Sequence, residues 1–95
     1  MKPAYTVVDT AIHDHEAYEA YKAKVVPMVQ SCGGEYLIRG GDMIIDQEEL
    51  WTPTRMVLIK FPSVERAQSF LDSEEYAPVK AVRLGASKAT AVIVE

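Results

Sequence analysis

The amino-acid sequence predicts an α+β fold in which helices pack on an antiparallel sheet. Runs rich in β-branched and aromatic residues, typical of strands, occur near both ends and in the middle of the chain. Between them lie segments whose apolar residues recur every three or four positions, the spacing of an amphipathic helix. The chain has 95 residues, 48% hydrophobic and 25% charged, as in an ordinary globular protein. We therefore expect one domain, residues 1–95, with a single core.

The first strand is predicted over residues 4–12, "AYTVVDTAI", which has no helical spacing. Asp14 is a suitable N-cap for the helix that follows. Pro27 is expected to bend or locally break this helix, because proline lacks the backbone donor. Gly33 and Gly34 should end it, since glycine tolerates the left-handed conformation of a helix stop. The apolar stripe of this helix consists of Tyr18, Tyr21, Val25, Met28 and Cys32.

Two short strand-like runs come next, "EYLIR" at 35–39 and "DMIID" at 42–46. Gly40 and Gly41 join them, and a Gly-Gly pair suits the positive φ angles of a tight hairpin turn. A phosphate-binding loop would need a helix after the glycines, whereas another strand is predicted there. The pattern therefore favours a turn over a phosphate site.

A polar loop at 47–54 carries Trp51 and leads into a third strand-like run, "RMVLIKF", at 55–61. Ser63 is placed to cap a second helix, with an acidic residue favourably located in its first turn. The apolar face of that helix consists of Val64, Ala67, Phe70 and Leu71.

The last part of the chain predicts one more helical segment and a final strand. Ser73 opens the segment, Gly85 is expected to stop it, and "ATAVIVE" at 89–95 reads as the strand. Apart from the short run 42–46 and a short extra helix before the last strand, the order is strand, helix, strand, strand, helix, strand. This is the ferredoxin-like βαββαβ order.

The third strand has two apolar faces. Val57, Ile59 and Phe61 alternate on one face, while Met56 and Leu58 precede Lys60 on the other. In the ferredoxin-like order the helices cover only one face of the sheet, so the second apolar face needs another cover. A second copy of the sheet is the simplest one, and we expect a face-to-face homodimer.

Composition excludes several classes of partner. A formal net charge of −4 with scattered Lys and Arg offers no basic stripe for nucleic acid. No run approaches about 18 apolar residues and no signal-type apolar core is present, so we expect neither secretion nor a membrane span. Cys32 is the only cysteine, which rules out an internal disulfide and suits a reducing cytoplasm.

Three segments, "GGEYLIRGGD", "VLIKFPSVERAQSFLDSEEY" and "VRLGAS", together resemble the domain of unknown function 1330 family of the dimeric α/β-barrel superfamily. Glu74 stands where that pattern usually has a proline. The resemblance implies a ferredoxin-like protomer and a dimer whose two sheets form a barrel. Superfamily relatives include small isomerases, cofactor-free monooxygenases, decarboxylases and stress-response proteins, so no cofactor is expected.

Arg39 is the first candidate for a functional residue. It ends a strand beside a turn, where a rigid backbone could hold its guanidinium to clamp a carboxylate bidentately. The alternative is a structural ion pair with Asp9 or Asp46. Tyr36 is also a ligand-binding candidate, although the five tyrosines read more simply as core aromatics with a wet hydroxyl.

His13 and His15 flank Asp14, and "HDH" raises the question of a metal site. The tripeptide straddles a strand end and a helix cap, so two histidines on one face are not expected and a third ligand would come from elsewhere. His13 as a general base is the better hypothesis, with Asp9 as an alternative proton carrier. Solvated cap residues remain the simplest interpretation, and no metal site is predicted.

Trp51, in an otherwise polar loop, would either lid a pocket or pack on its own or the partner's sheet. Two functions remain open. In one, a cavity between the sheet and the helices or partner binds or transforms a small anionic or carbonyl-bearing metabolite without a cofactor. In the other, the protein is a non-catalytic dimeric module that binds a ligand or a protein.

Overall fold

The computed structural model describes residues 2–95 and has the predicted ferredoxin-like order. Its elements are β1 Ala4–Ile12, α1 His15–Ser31, β2 Glu35–Arg39, β3 Met56–Phe61, α2 Val64–Leu71, α3 Tyr76–Ala86 and β4 Ser87–Val94. The four strands form one antiparallel sheet in the order β2-β3-β1-β4. The register of β2 on β3 shifts between Tyr36 and Ile38, which marks a bulge. No helix within residues 2–95 is long and apolar enough to cross a membrane.

The predicted helix starts and the first helix stop are confirmed. The Asp14 carboxylate accepts a hydrogen bond from the Ala17 N–H at 3.1 Å, and the Ser63 hydroxyl accepts one from the Arg66 N–H at 3.2 Å. Gly33 follows α1 with a φ of 82°. At these helix ends, residues close in sequence satisfy backbone groups that have no partner within the helix, so the sequence alone specifies them.

Pro27 was expected to bend or locally break α1; the helix continues through it, so the break does not occur. The residue one turn earlier, Ala23, is exposed. Its carbonyl lacks the proline N–H as a partner, and in an exposed segment water can take that place.

The core lies between one face of the sheet and the three helices. Val57, Ile59 and Phe61 are buried there, as their alternation predicts. Phe61 stacks on Phe70 of α2 with ring centroids 5.8 Å apart. Aromatic and β-branched side chains from both layers therefore supply most of the apolar burial.

The opposite face of the sheet has no helix on it. Val7 of β1 lies between Leu58 of β3 and Val92 of β4 in register. Val92 is 48% exposed and Val94, at the end of the same strand, is 47% exposed. The second apolar face predicted from β3 is therefore present, and we call it the open face.

The prediction of a strand at 42–46 is wrong. The Gly40 N–H donates to the Met56 carbonyl at 2.8 Å, so β2 pairs directly with β3. Gly40 has the expected positive φ, 73°, but the chain then loops out instead of returning as a hairpin. Residues 40–55 form this excursion, which we call the arm, and within it Ile44 is fully exposed and Leu50 is 90% exposed.

The prediction that Gly85 stops the third helix is wrong. Helix α3 runs on to Ala86, and β4 begins at Ser87. The Ala86 carbonyl accepts hydrogen bonds from the N–H groups of His13 and Asp14 at 3.0 and 3.1 Å. The Ser87 hydroxyl donates to the Arg83 carbonyl at 2.8 Å. With these last-turn carbonyls satisfied, a glycine stop is not required.

Candidate functional site

A cavity of about 60 Å³ lies between the sheet and the helices. A single buried water needs roughly 10–15 Å³ of such space, so the cavity has room for more than one water molecule or for part of a small ligand. Its apolar walls include Val25, Val29, Ile59, Phe61 and Phe70. An apolar cavity of this kind takes its specificity from the few polar groups that reach it.

Four tyrosines line this cavity: Tyr18, Tyr21, Tyr36 and Tyr76. The Tyr21 and Tyr76 hydroxyls are buried and hydrogen-bonded to each other at 2.9 Å. Burial is the main cause that raises the pKa of Tyr21, and the neighbouring Tyr76 raises it further. Burial also raises the pKa of Tyr36 to about 12, although the nearby Arg39 charge opposes the shift. Both phenols are therefore protonated at neutral pH and available as hydrogen-bond donors.

The charged residues that line the cavity are all basic: Lys22, Arg39, Arg55 and Arg83. Lys22 pairs with Glu19 at 3.0 Å. Within the described chain, none of the three arginines forms a salt bridge. The whole chain carries a net charge of −4, so the local charge at this cavity is opposite in sign to the net charge of the protein.

Two arginines are held over tyrosine rings at the cavity. The Arg39 guanidinium lies 4.8 Å from the centroid of Tyr36, and that of Arg55 lies 5.4 Å from the centroid of Tyr18. Arg55 also donates from Nη1 to the Tyr18 hydroxyl at 3.3 Å. Stacking and hydrogen bonding leave these planar cations less freedom than solvated side chains would have.

Contacts with residues at both ends of the arm further position the Arg55 side chain. Its Nη2 donates to the Arg39 carbonyl at 3.4 Å. A Cβ on Gly40 would overlap the Arg55 guanidinium, so glycine makes room for it. The Arg55 N–H donates to the Asp9 carboxylate at 3.1 Å, which fixes the backbone from which the side chain extends.

The open face of the sheet has a second, wider cavity of about 370 Å³, lined by Val7, Asp9, Trp51, Met56, Thr90 and Val92. The Asp9 carboxylate accepts hydrogen bonds from the Trp51 indole at 2.9 Å and from the Thr54 N–H at 2.8 Å. Burial alone would raise the pKa of Asp9, but its hydrogen bonds from Thr54, Arg55 and Trp51 outweigh this and lower it. Asp9 is thus an ionised acceptor that anchors the end of the arm.

The structure divides the five residues predicted from sequence into three places. Arg39 and Tyr36 meet at the cavity under the helices, and Asp9 and Trp51 meet on the open face. His13 is exposed and lines neither cavity; its backbone N–H donates to Ala86. No group of three His, Cys, Asp or Glu residues in the part of the chain described here could hold a metal ion.

Arg55 and the Tyr21–Tyr76 pair were not singled out in the sequence. A signal was available for the tyrosines, because a phenol on the apolar stripe of a helix needs a buried partner for its hydroxyl. Arg55 begins the strand-like run 55–61 as Arg39 ends the earlier one. Their meeting depends on the pairing of β2 with β3, which no local pattern reveals.

Comparisons with known proteins agree with this fold. A model of the domain of unknown function (DUF1330) family matches residues 3–95. A protein of unknown function from Rhodopseudomonas palustris has a similar structure, with a TM-score of 0.78 at 15% identity over 97% of this chain and 80% of that one. A dimeric ferredoxin-like protein of unknown function from Jannaschia sp. CCS1 has a TM-score of 0.77 at 12% identity over 99% of each chain.

A hypothetical protein from Arabidopsis thaliana, solved in solution, has a TM-score of 0.72 at 17% identity and covers 100% of this chain and 88% of its own. No curated protein matches the sequence. At these identities the solved structures support the shared fold.

Proposed function

The chain belongs to the domain of unknown function 1330 family, and because that description names no activity, we propose from the site itself that the protein binds a small organic carboxylate. The ligand occupies the cavity between the sheet and the helices. No cofactor enters the proposal. The sequence resemblance to this family is confirmed by the match over residues 3–95.

The single observation that carries the proposal is the charge of the cavity lining. It holds four basic side chains and no Asp or Glu. Arg39 and Arg55 stack on tyrosine rings and have no acidic partner within the residues described. A guanidinium held in this way presents a planar fork of donors that matches a carboxylate. An anionic ligand would supply the missing counter-charge.

The tyrosine hydroxyls favour binding over proton transfer. Because burial raises the pKa of Tyr21 and Tyr36, these groups donate hydrogen bonds and do not act as bases at neutral pH. The same donors would stabilise an enolate or another oxyanion. A residue that removes a proton is needed for such chemistry, and His13 and Asp9 do not line this cavity. We therefore place binding ahead of catalysis.

We also infer that the protein is a homodimer joined through the open face. The support is the uncovered row of Val7, Leu58 and Val92, which would leave apolar area in water in a monomer. The Jannaschia protein of the same fold is described as dimeric. The ligand cavity lies on the other side of the sheet, so a dimer of this kind would leave it accessible.

The test is thermal melting with a panel of short carboxylates, using matched variants. Arg55→Lys keeps the charge but loses the planar fork, so it should lose most of the ligand-induced shift. Arg66→Lys is the control, because Arg66 is exposed and does not line the cavity. It should respond to ligand as the wild type does.

The expected size of the shift follows from mass action. At ten times the dissociation constant, a ligand that binds only the native state stabilises it by about 1.4 kcal/mol. For a domain of this size that corresponds to roughly 6–11 °C in Tm. The proposal fails if no carboxylate raises the wild-type Tm, or if Arg66→Lys reduces the response as much as Arg55→Lys does.

A further inference from the structure

Two buried threonine hydroxyls lack a hydrogen-bond partner within residues 2–95, those of Thr6 and Thr10. Thr6 is 3% exposed and lines the cavity under the helices, whereas Thr10 is fully buried and does not line it. A buried hydroxyl without a partner costs free energy, so an unpartnered hydroxyl at a cavity is a candidate contact for a ligand. Thr10 serves as a natural internal control.

The strand register places Thr6 away from the arginine end of the cavity. Thr6 of β1 lies opposite Ile59 of β3, which lies opposite Tyr36 of β2. Arg39 lies opposite Val57, in the neighbouring row. Because adjacent strands are about 4.8 Å apart, the β1 and β2 backbones are separated by roughly 10 Å at this point. The Arg39 side chain, which lines the cavity, covers part of that distance, and a short carbon chain would span the rest.

The tyrosine pair connects the arginine end with the interior of the cavity, because the Tyr21 ring lies 5.3 Å from that of Tyr18, over which Arg55 is held. The ring of Tyr76 is 4.5 Å from that of Phe70, which stacks on Phe61 at the far end of β3 from Val57. In the hydrogen bond between Tyr21 and Tyr76 one hydroxyl donates to the other, so the accepting phenol keeps its own O–H free. Beyond its arginines, the cavity therefore offers two kinds of neutral donor, a threonine O–H and a tyrosine O–H.

An uncharged acceptor suits this end better than a second carboxylate. Thr6, Tyr21 and Tyr76 are all buried and line the cavity together with the apolar Val25, Val29 and Ile59. Removing a charge from water into such surroundings is costly without an ionic partner, whereas a carbonyl oxygen needs only hydrogen-bond donors. The raised pKa of Tyr21 reflects the same resistance to negative charge.

We propose that the ligand is a short oxo acid, whose carboxylate binds Arg39 and Arg55 and whose carbonyl oxygen accepts a hydrogen bond from the Thr6 hydroxyl. This rests on the proposed carboxylate-binding function and specifies its ligand class. The carboxylate remains at the basic, more exposed end of the cavity. The carbonyl occupies the inner, neutral end.

The experiment compares pentanoate with 4-oxopentanoate, which share the carboxylate and the five-carbon chain and differ in one carbonyl. Dissociation constants are measured by calorimetry for the wild type, Thr6→Val and Thr10→Val. We expect the wild type and Thr10→Val to bind the oxo acid about tenfold more tightly than pentanoate, the scale of one net hydrogen bond. In Thr6→Val the two ligands should bind alike, with pentanoate affinity kept.

A second readout is the ligand-free Tm of the same variants. Valine has nearly the shape of threonine but no hydroxyl, so Thr6→Val should melt at or above the wild-type temperature if the hydroxyl is unpartnered in the free protein. A clear fall in Tm would show that the fold itself uses this hydroxyl, and would overturn the inference.

The outcomes separate this inference from the function on which it rests. Equal wild-type affinity for pentanoate and 4-oxopentanoate would overturn the oxo-acid assignment and leave carboxylate binding intact. Tighter binding of pentanedioate than of 4-oxopentanoate would replace the neutral inner end with a second anionic one. If no carboxylate binds, both proposals fall.

Discussion

Asp9 connects the end of the arm to β1, one of the two central strands, and Asp9→Asn tests how much this connection stabilises the fold. The wild-type carboxylate accepts hydrogen bonds from the Trp51 indole, the Thr54 N–H and the Arg55 N–H at 2.9, 2.8 and 3.1 Å. All three partners are donors. An asparagine can turn its oxygen toward Thr54 and Arg55, but its NH₂ group then faces the Trp51 donor.

The expected loss follows from these contacts. Hydrogen bonds to a charged group contribute about 1.5–3 kcal/mol each in protected sites, and Asp9 is only half-buried, which favours the lower figure. The substitution removes one such bond and the charge assistance to two others. We expect a loss of about 2 kcal/mol in the free energy of unfolding at pH 7. This corresponds to a fall of roughly 8–16 °C in Tm for a domain of this size.

The pH dependence gives a second check. The pKa of Asp9 is lowered in the folded protein, so its contribution is fully present above the ordinary pKa of about 3.8 and is lost as the pH falls through the folded-state value. The difference in urea unfolding between wild type and Asp9→Asn should therefore be largest at pH 7 and shrink as the pH falls below about 3.8. Trp51→Phe is the matched variant, because it removes the indole donor but keeps an aromatic ring. In its background Asp9→Asn should cost less.

The reasoning is refuted if Asp9→Asn unfolds at the wild-type urea concentration at pH 7. It is also refuted if the difference between the two proteins persists unchanged at pH 2, since an effect that does not titrate does not come from the carboxylate.

Three further predictions concern other parts of the molecule. Leu58→Glu should dissociate the dimer or unfold the protein, because it places a charge in the middle of the open face. Light scattering at micromolar concentration measures the mass, and a stable dimer of the variant would place the interface elsewhere. Arg39→Ala should cost less than about 1 kcal/mol of stability, the scale of an exposed cation–π contact, while Arg39→Lys weakens carboxylate binding. A loss of about 3–5 kcal/mol in urea unfolding of Arg39→Ala would instead indicate a buried ion pair. The pKa of Tyr36 is raised to about 12 in the folded state, from an ordinary value of 10. Its contribution to the free energy of unfolding is therefore complete below pH 10 and is lost as the pH rises from 10 to 12. Urea unfolding between pH 10 and 12 should show a shallower decline for Tyr36→Phe than for wild type, and equal slopes would contradict the assignment.

Features set by neighbouring residues were predictable from the sequence. Asp14 and Ser63 cap helices through bonds to amides three residues on, and Gly33 ends α1 by its own backbone conformation. The alternation in 56–61 identified the face that meets the helices, because side chains of a strand point alternately to its two sides. Each of these signals lies within a few residues of the chain.

Features set by distant pairing were not predictable in the same way. The apolar run 42–46 has the composition of a strand, but β2 already uses β3 as its partner, and the run is left in the arm. The same pairing brings Arg55 beside Arg39, although 15 residues separate them in sequence. The sequence suggests Asp9 as a proton carrier, but its place on the other side of the sheet from the arginines depends on the sheet register.

The two edges of the sheet differ as templates for an incoming strand, and this has a consequence for aggregation. Edge strand β2 has five residues and a bulge, so its free backbone groups do not form an even row. Edge strand β4 has eight residues and pairs with β1 without a register shift. It also ends in "AVIV", a β-branched segment without charge. Intermolecular strand addition should therefore begin at β4, where a charged residue at Val94 would act as a gatekeeper.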